Sequence, residues 1–191
     1  MATGLILASA SPRRSLILRA LGLDFEVVVS GADESMAPGE DPAAAAERIA
    51  CDKARSVAAE RRGQAVLAAD TMVVCDGSVL GKPGTAAASA DMLRLLSGRT
   101  HEVVTGVCAI LGDLERSGVE RTSVTFDPID EAEIAWYVAT GETLDKAGAY
   151  HVDGRGSLFI RSIEGSPSNV AGLPVTLVRR LLGEVGVRVL P

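Results

Sequence analysis

The stretch LILASASPRRSLILRALG, residues 5–22, decides the class of this chain. Its four leading apolar residues sit between turn formers and read as a short buried strand. Ser11 is a good N-cap and Pro12 a good first helical residue, because proline lacks an N–H that would have had no intrahelical partner. A leucine-rich helical pattern follows, and Gly22 ends it. A strand that feeds a helix in this way opens an α/β fold. Arg13 and Arg14 fall in the first helical turn, where the helix dipole disfavours cations. The unpaired N–H groups there suit an anion, so the arginine pair points to phosphate. The competing reading is a pair of solvated surface arginines.

Working outward, DFEVVVS (residues 24–30) reads as a β-branched strand. GADESMAPGEDP (31–42) is acidic and rich in glycine and proline, and is expected to be a loop that is mobile when empty. Asp41 and Pro42 repeat the cap-then-proline start and open an alanine-rich helix through about Arg62, closed by Gly63. AVLAADTMVVCDGSVLGKP (65–83) reads as a strand, a break at Asp70, more strand, and a return through an Asp76-Gly77 turn. Thr85 caps a helix over 86–97, and Gly98 stops it. Runs at 101–111 and 119–126 meet at Gly112-Asp113 as a hairpin. Asp130 with Glu133 forms a capping-box start. A turn-rich segment over 141–156, a strand over 157–163, a loop EGSPSN and a helix over 175–185 complete the chain. Helices alternate with strands and hairpins are present, so the expected class is α/β with a mixed sheet. No repeat or linker divides the chain, which reads as one domain, 1–191.

The 191 residues are 47% hydrophobic and 23% charged, ordinary proportions for a folded globular chain. A formal net charge of −6 argues against broad binding to nucleic acid or to a membrane surface, and leaves room for a local cationic pocket. No run reaches the length of a membrane span. Cys51, Cys75 and Cys108 are scattered without CxxC spacing and read as reduced, buried thiols of a cytoplasmic protein.

Four segments place small residues and charges at strand ends, where α/β proteins gather ligands: residues 9–14, 69–71, 80–83 and 145–150. Asp70 stands out because it interrupts a run of small apolar residues, and a buried carboxylate without a partner or a metal is costly. The bland reading is an aspartate capping a turn. Asp33, Glu34 and Glu47 are further carboxylates that could join Asp70 around a hard cation such as magnesium. The sequence contains no phosphate-binding P-loop, dinucleotide fingerprint, HExxH zinc motif or nucleophile elbow. His101, at a strand start, reads as a surface or turn histidine.

LASASPRRSLIL, AADTMVVCDGSVLGKP, LSGRTHEVVTGV, LDKAGAYHVDG and IEGSPSNVAGLP together resemble, in order and spacing, the Maf-like nucleoside triphosphate pyrophosphatases, once called septum-formation inhibitors. The resemblance covers nearly the whole chain. It implies an elongated mixed sheet flanked by helices, in two lobes around a nucleotide-binding cleft, similar to inosine triphosphate pyrophosphatases. It implies cleavage of the α–β phosphate bond of a nucleoside triphosphate with a divalent metal, Mg²⁺ or Mn²⁺, and is compatible with a homodimer. Asp70 then corresponds to the general base. Arg13, Arg14, Lys53 and Lys82 correspond to phosphate-contacting cations, Ser9 and Ser11 line the loop, and Glu34 joins Asp70 at the metal. The branch that prefers dTTP and UTP has arginine, threonine and glutamine at three specificity positions. This chain has Arg13, Thr71 and, in place of the glutamine, Asp153. The function implied is house-cleaning of the nucleotide pool. The rival is a nucleotide-binding regulator of division or septation.

Overall fold

The computed structural model describes residues 4–189. The mixed α/β class expected from the sequence is the class observed. Seven strands form one sheet in the order β2-β1-β3-β5-β6-β7, with β4 pairing to β3. The strands are β1 (Leu5–Leu7), β2 (Phe25–Val27), β3 (Ala65–Cys75), β4 (Ser78–Leu80), β5 (Thr100–Leu111), β6 (Leu114–Phe126) and β7 (Ile160–Glu164). The helices are α1 (Pro12–Ala20), α2 (Pro42–Glu60), α3 (Ala86–Leu96), α4 (Glu131–Ala139), α5 (Pro167–Val170) and α6 (Val175–Glu184). By contacts the chain divides into two compact units.

The first unit holds residues up to Asp70, then Thr105–Glu120, then the chain from Gly172. Here β1 pairs parallel with both β2 and β3. Side chains alternate between the two faces of this sheet. Leu5, Leu7, Leu67, Val107 and Ala109 pack with Leu18 of α1 and with Leu177, Val178 and Leu181 of α6. Ile6, Val66, Ala68, Cys108 and Ile110 pack with Ala50, Ala54 and Val57 of α2. The face of α2 turned to the sheet is mostly alanine, and the strand residue beneath it is glycine. A Cβ built on Gly106 would lie 2.3 Å from the carbonyl carbon and oxygen of Ala46 and from the nitrogen of Glu47. Helix backbone and strand backbone are therefore in direct contact.

The second unit holds Thr71–Val104 and Arg121–Ala171. β4 returns antiparallel along β3 through a tight turn at Asp76 and Gly77, both with positive φ, the conformation a two-residue hairpin demands. β7 pairs antiparallel with β6. Asp130 and Glu133 form the expected capping box at the start of α4. Phe126, Tyr137, Tyr150 and Phe159 are buried in this unit's core.

The structure corrects several local expectations. β3 runs unbroken through Asp70, because both of its halves are held as strand and the carboxylate finds a partner without a turn. The strand expected over 24–30 is only three residues long. The one expected over 157–163 begins at Ile160, since Arg155–Phe159 closes into a 3₁₀ turn. EGSPSN is not merely a loop, because Ser166 caps the short α5 by accepting from the Asn169 N–H at 3.3 Å. His101 is a core residue rather than a surface one. Its ring meets Phe126 and Tyr150 edge to face at 5.0 and 5.4 Å, and its Nε2 lies 2.9 Å from the Tyr150 hydroxyl.

Burial pulls the His101 imidazole down from an ordinary value of 6.5 to about 4. Between those values the unfolded chain binds a proton that the folded chain refuses. The stability this gives is complete above pH 6.5 and is lost as pH falls through about 4. The most it can amount to is about 3 kcal/mol. The thermal midpoint is expected to fall over this window in the native protein and to lose that component of its slope in His101→Phe. An equal slope in the variant would assign the effect to other groups.

Candidate active site

The loop 9–14 is shaped before any ligand arrives. Ser11 caps α1 by accepting from the Arg14 N–H at 3.5 Å, as its sequence position predicts. The Ser9 hydroxyl oxygen accepts twice, from the Ser11 N–H at 3.2 Å and from the Arg14 guanidinium at 3.0 Å. Its own proton is directed elsewhere and suits an anionic acceptor. The buried Arg14 also donates to the carbonyls of Ala69, at 2.8 Å, and Gly172, at 2.8 Å. Its guanidinium thus ties the loop to the end of the first half of β3 and to the chain entering α6. Burial lowers the pKa of Arg14, and the charges of Asp70 and Glu34 oppose that shift. Arg13 is half-buried on the same turn.

Lys53 and Asp70 meet through simple geometry. Asp70 continues the alternation of Val66 and Ala68, so it lies on the sheet face that α2 covers. Lys53 follows Ala46, Ala50 and precedes Val57 on the buried stripe of α2. The two residue types meet because one interrupts an apolar strand face and the other an apolar helix face. Lys53 Nζ lies 2.7 Å from Asp70 Oδ1 and 3.0 Å from Glu34 Oε1. Lys53 is only 5% exposed, and these two carboxylates are the ion-pair partners that burial of its charge requires.

Glu34 comes from the acidic loop, which is fastened to α2. Arg48 grips Glu40 with two hydrogen bonds of 2.8 Å and donates to the Ser35 carbonyl at 3.0 Å. Those bonds hold the Glu40 carboxyl down at about 2. Asp33 accepts from the Ser35 N–H and hydroxyl, which bends the loop tip.

Ser9, Ser11, Arg14, Glu34, Lys53 and Asp70 are thus brought together within the first unit. Thr71, Lys82 and Asp153 belong to the second. Thr71 is the next residue of β3 after Asp70 and is half-buried. Lys82 is exposed on a loop held to the 144–148 segment by Gly84 N–H to Leu144 O at 3.2 Å and Gly148 N–H to Gly81 O at 3.3 Å. In that segment the hydrogen bond from Lys146 holds the Asp145 carboxyl low, with a smaller contribution from Lys82. Asp153 is exposed in a turn. Glu47 accepts from the Ser117 hydroxyl at 2.7 Å.

The donor set fits a hard divalent cation. Asp70 and Glu34 are hard oxygen donors that converge on one positive charge, the Lys53 ammonium, and such donors would hold a divalent cation of the magnesium class. A different group, not evident from spacing along the chain, is Cys51, Cys108 and Glu115, whose donor atoms lie within 4.8 Å of one another. The signal was two cysteines on a helix face and a strand face that pack together.

The profile of the Maf-like protein family matches residues 4–185. The chain belongs to the Maf family. This Maf protein is 52% identical over 187 residues to the dTTP/UTP pyrophosphatase of Moorella thermoacetica, covering 97% of this chain and 96% of the relative. It is 50% identical to the dTTP/UTP pyrophosphatase of Deinococcus radiodurans, covering 95% and 93%. Among solved structures, the Staphylococcus aureus Ham1 protein aligns over 65% of this Maf chain and 72% of its own, with a TM-score of 0.47 and 16% identity.

Proposed function

We propose that this Maf protein hydrolyses dTTP and UTP to the monophosphate and pyrophosphate, clearing them or modified pyrimidine nucleotides from the pool. The arrangement that carries the reading is a carboxylate, Asp70, hydrogen-bonded to a buried ammonium and adjacent to an anion-ready loop. Curated relatives at about half identity over nearly the full chain bear that activity in their names.

The chain's own groups divide the work. Asp70 accepts a proton from water as the water oxygen attacks the α-phosphorus. The bond from that phosphorus to the bridging oxygen breaks, and the electron pair leaves with pyrophosphate. Lys53 orients Asp70 through their hydrogen bond and offers positive charge to the phosphates. The Ser9 hydroxyl, the first turn of α1 and Arg13 receive phosphate oxygens. Arg14 contributes its charge and holds the loop, since its hydrogen bonds already go to Ser9, Ala69 and Gly172. Lys82 supplies a further cation for the leaving pyrophosphate. Mg²⁺ or Mn²⁺, which Asp70 and Glu34 would hold, supplies charge neutralisation of the triphosphate and a more acidic water. Thr71 and Asp153 are the residues assigned to base selection. No described helix is long and apolar enough to cross a membrane.

The test is product identity across a panel of nucleoside triphosphates with either metal. dTMP or UMP with pyrophosphate is expected, whereas diphosphate with orthophosphate would reject the bond assigned. In the same panel Asp153→Gln is expected to change the ranking of bases, because an amide donates as well as accepts where a carboxylate only accepts. An unchanged ranking would remove Asp153 from base selection.

A further inference from the structure

Away from the carboxylate site, two thiols and an acid from α2, β5 and β6 come together. Cys51 on α2 and Cys108 on β5 are both buried, with free sulfurs. Glu115, on β6, is half-exposed at the rim. One donor atom from each residue lies within 4.8 Å of the other two. We propose that Cys51, Cys108 and Glu115 form a binding site for a thiophilic d¹⁰ cation of the zinc and cadmium class.

The dimensions suit such an ion. Bonds of about 2.3 Å from a tetrahedral zinc to sulfur place two sulfurs about 3.8 Å apart, inside the 4.8 Å that spans the three donor atoms. Two soft sulfurs with one carboxylate select against magnesium and calcium, which require oxygen-rich shells. The mutual hydrogen bond of the two thiols lowers the pKa of Cys51 and raises that of Cys108. Arg55 grips Glu115 through two hydrogen bonds, at 3.0 and 2.6 Å. A carboxylate has lone pairs enough to keep that partner and bind an ion as well. The partly exposed Arg55–Glu115 pair gives the ion its route in, and three protein donors leave the fourth position for water.

The experiment is a titration of the reduced protein with Cd²⁺ in excess Mg²⁺, so that the oxygen site is occupied and only sulfur ligation produces a thiolate-to-metal charge-transfer band. A band that saturates at a single equivalent is expected, with release of about two protons per metal. Cys51→Ser and Cys108→Ser are each expected to abolish it. Glu115→Gln is expected to weaken binding by about tenfold or more. Cys75→Ser, which alters a buried thiol of the other unit, should leave it intact. If Cys108→Ser fails to fold, Cys51→Ser at the edge of the cluster carries the test. No band, or one that survives in Cys51→Ser, would overturn the site.

Discussion

Asp70→Asn is expected to lower turnover by about two to four orders of magnitude, the range a positioned general base supplies. The substitution keeps the shape of the side chain and an acceptor for Lys53 but removes the ability to take a proton from water. Because Glu34 still faces the Lys53 ammonium at 3.0 Å, the buried charge is not left alone. Stability should therefore fall by no more than about 2 kcal/mol. A thermal denaturation curve and the pyrophosphate assay on one preparation separate these effects. Loss of activity with a nearly native midpoint supports the assignment. Near-normal turnover in the variant would remove Asp70 from the role of base.

Gly106→Val should destabilise the fold by about 3 kcal/mol or more, the upper end of what overpacking causes. A Cβ there meets the backbone of Ala46 and Glu47 at 2.3 Å, and backbone has no rotamer with which to yield. The helix must move away from the sheet, carrying Lys53 with it, so activity should decline even at temperatures where the variant stays folded. Gly183→Ala is the contrasting case, because a Cβ at that position meets nothing within 4 Å. Midpoints of the two variants by calorimetry check the prediction. A Gly106→Val protein as stable as the native chain would refute the close approach.

The local signals that were legible were those with a mechanism confined to a few residues. Ser11-Pro12, Asp41-Pro42 and Asp130 with Glu133 mark helix starts in the sequence, and all three helices begin there. Asp70 was conspicuous for the right reason, a carboxylate in an apolar run, yet the expected strand break was wrong. Turn chemistry was invoked where the partner was distant: Lys53 lies 17 residues earlier in the chain. The same gap hid the role of Arg14. Its first-turn position was readable, but the carbonyl of Gly172 that it grips is 158 residues away. His101 was misplaced because a strand-start position says nothing about which aromatic rings arrive from later in the chain. The cysteine pair escaped because spacing rules for metal sites describe neighbours along one segment, whereas Cys51 and Cys108 meet across a helix and a sheet.

That β3 passes unbroken through Asp70 also bears on how the protein responds to heat. β1 pairs with β3 over Ala65–Leu67 and β5 is its neighbour on the other side, so the carboxylate is borne by a strand of the sheet rather than a flexible connection. Backbone in such a strand opens to solvent only when the sheet around it does. Warming short of the unfolding transition then leaves the proton acceptor in register. Thermal inactivation and loss of the sheet are then expected to coincide, which activity and sheet content followed through one melt would check.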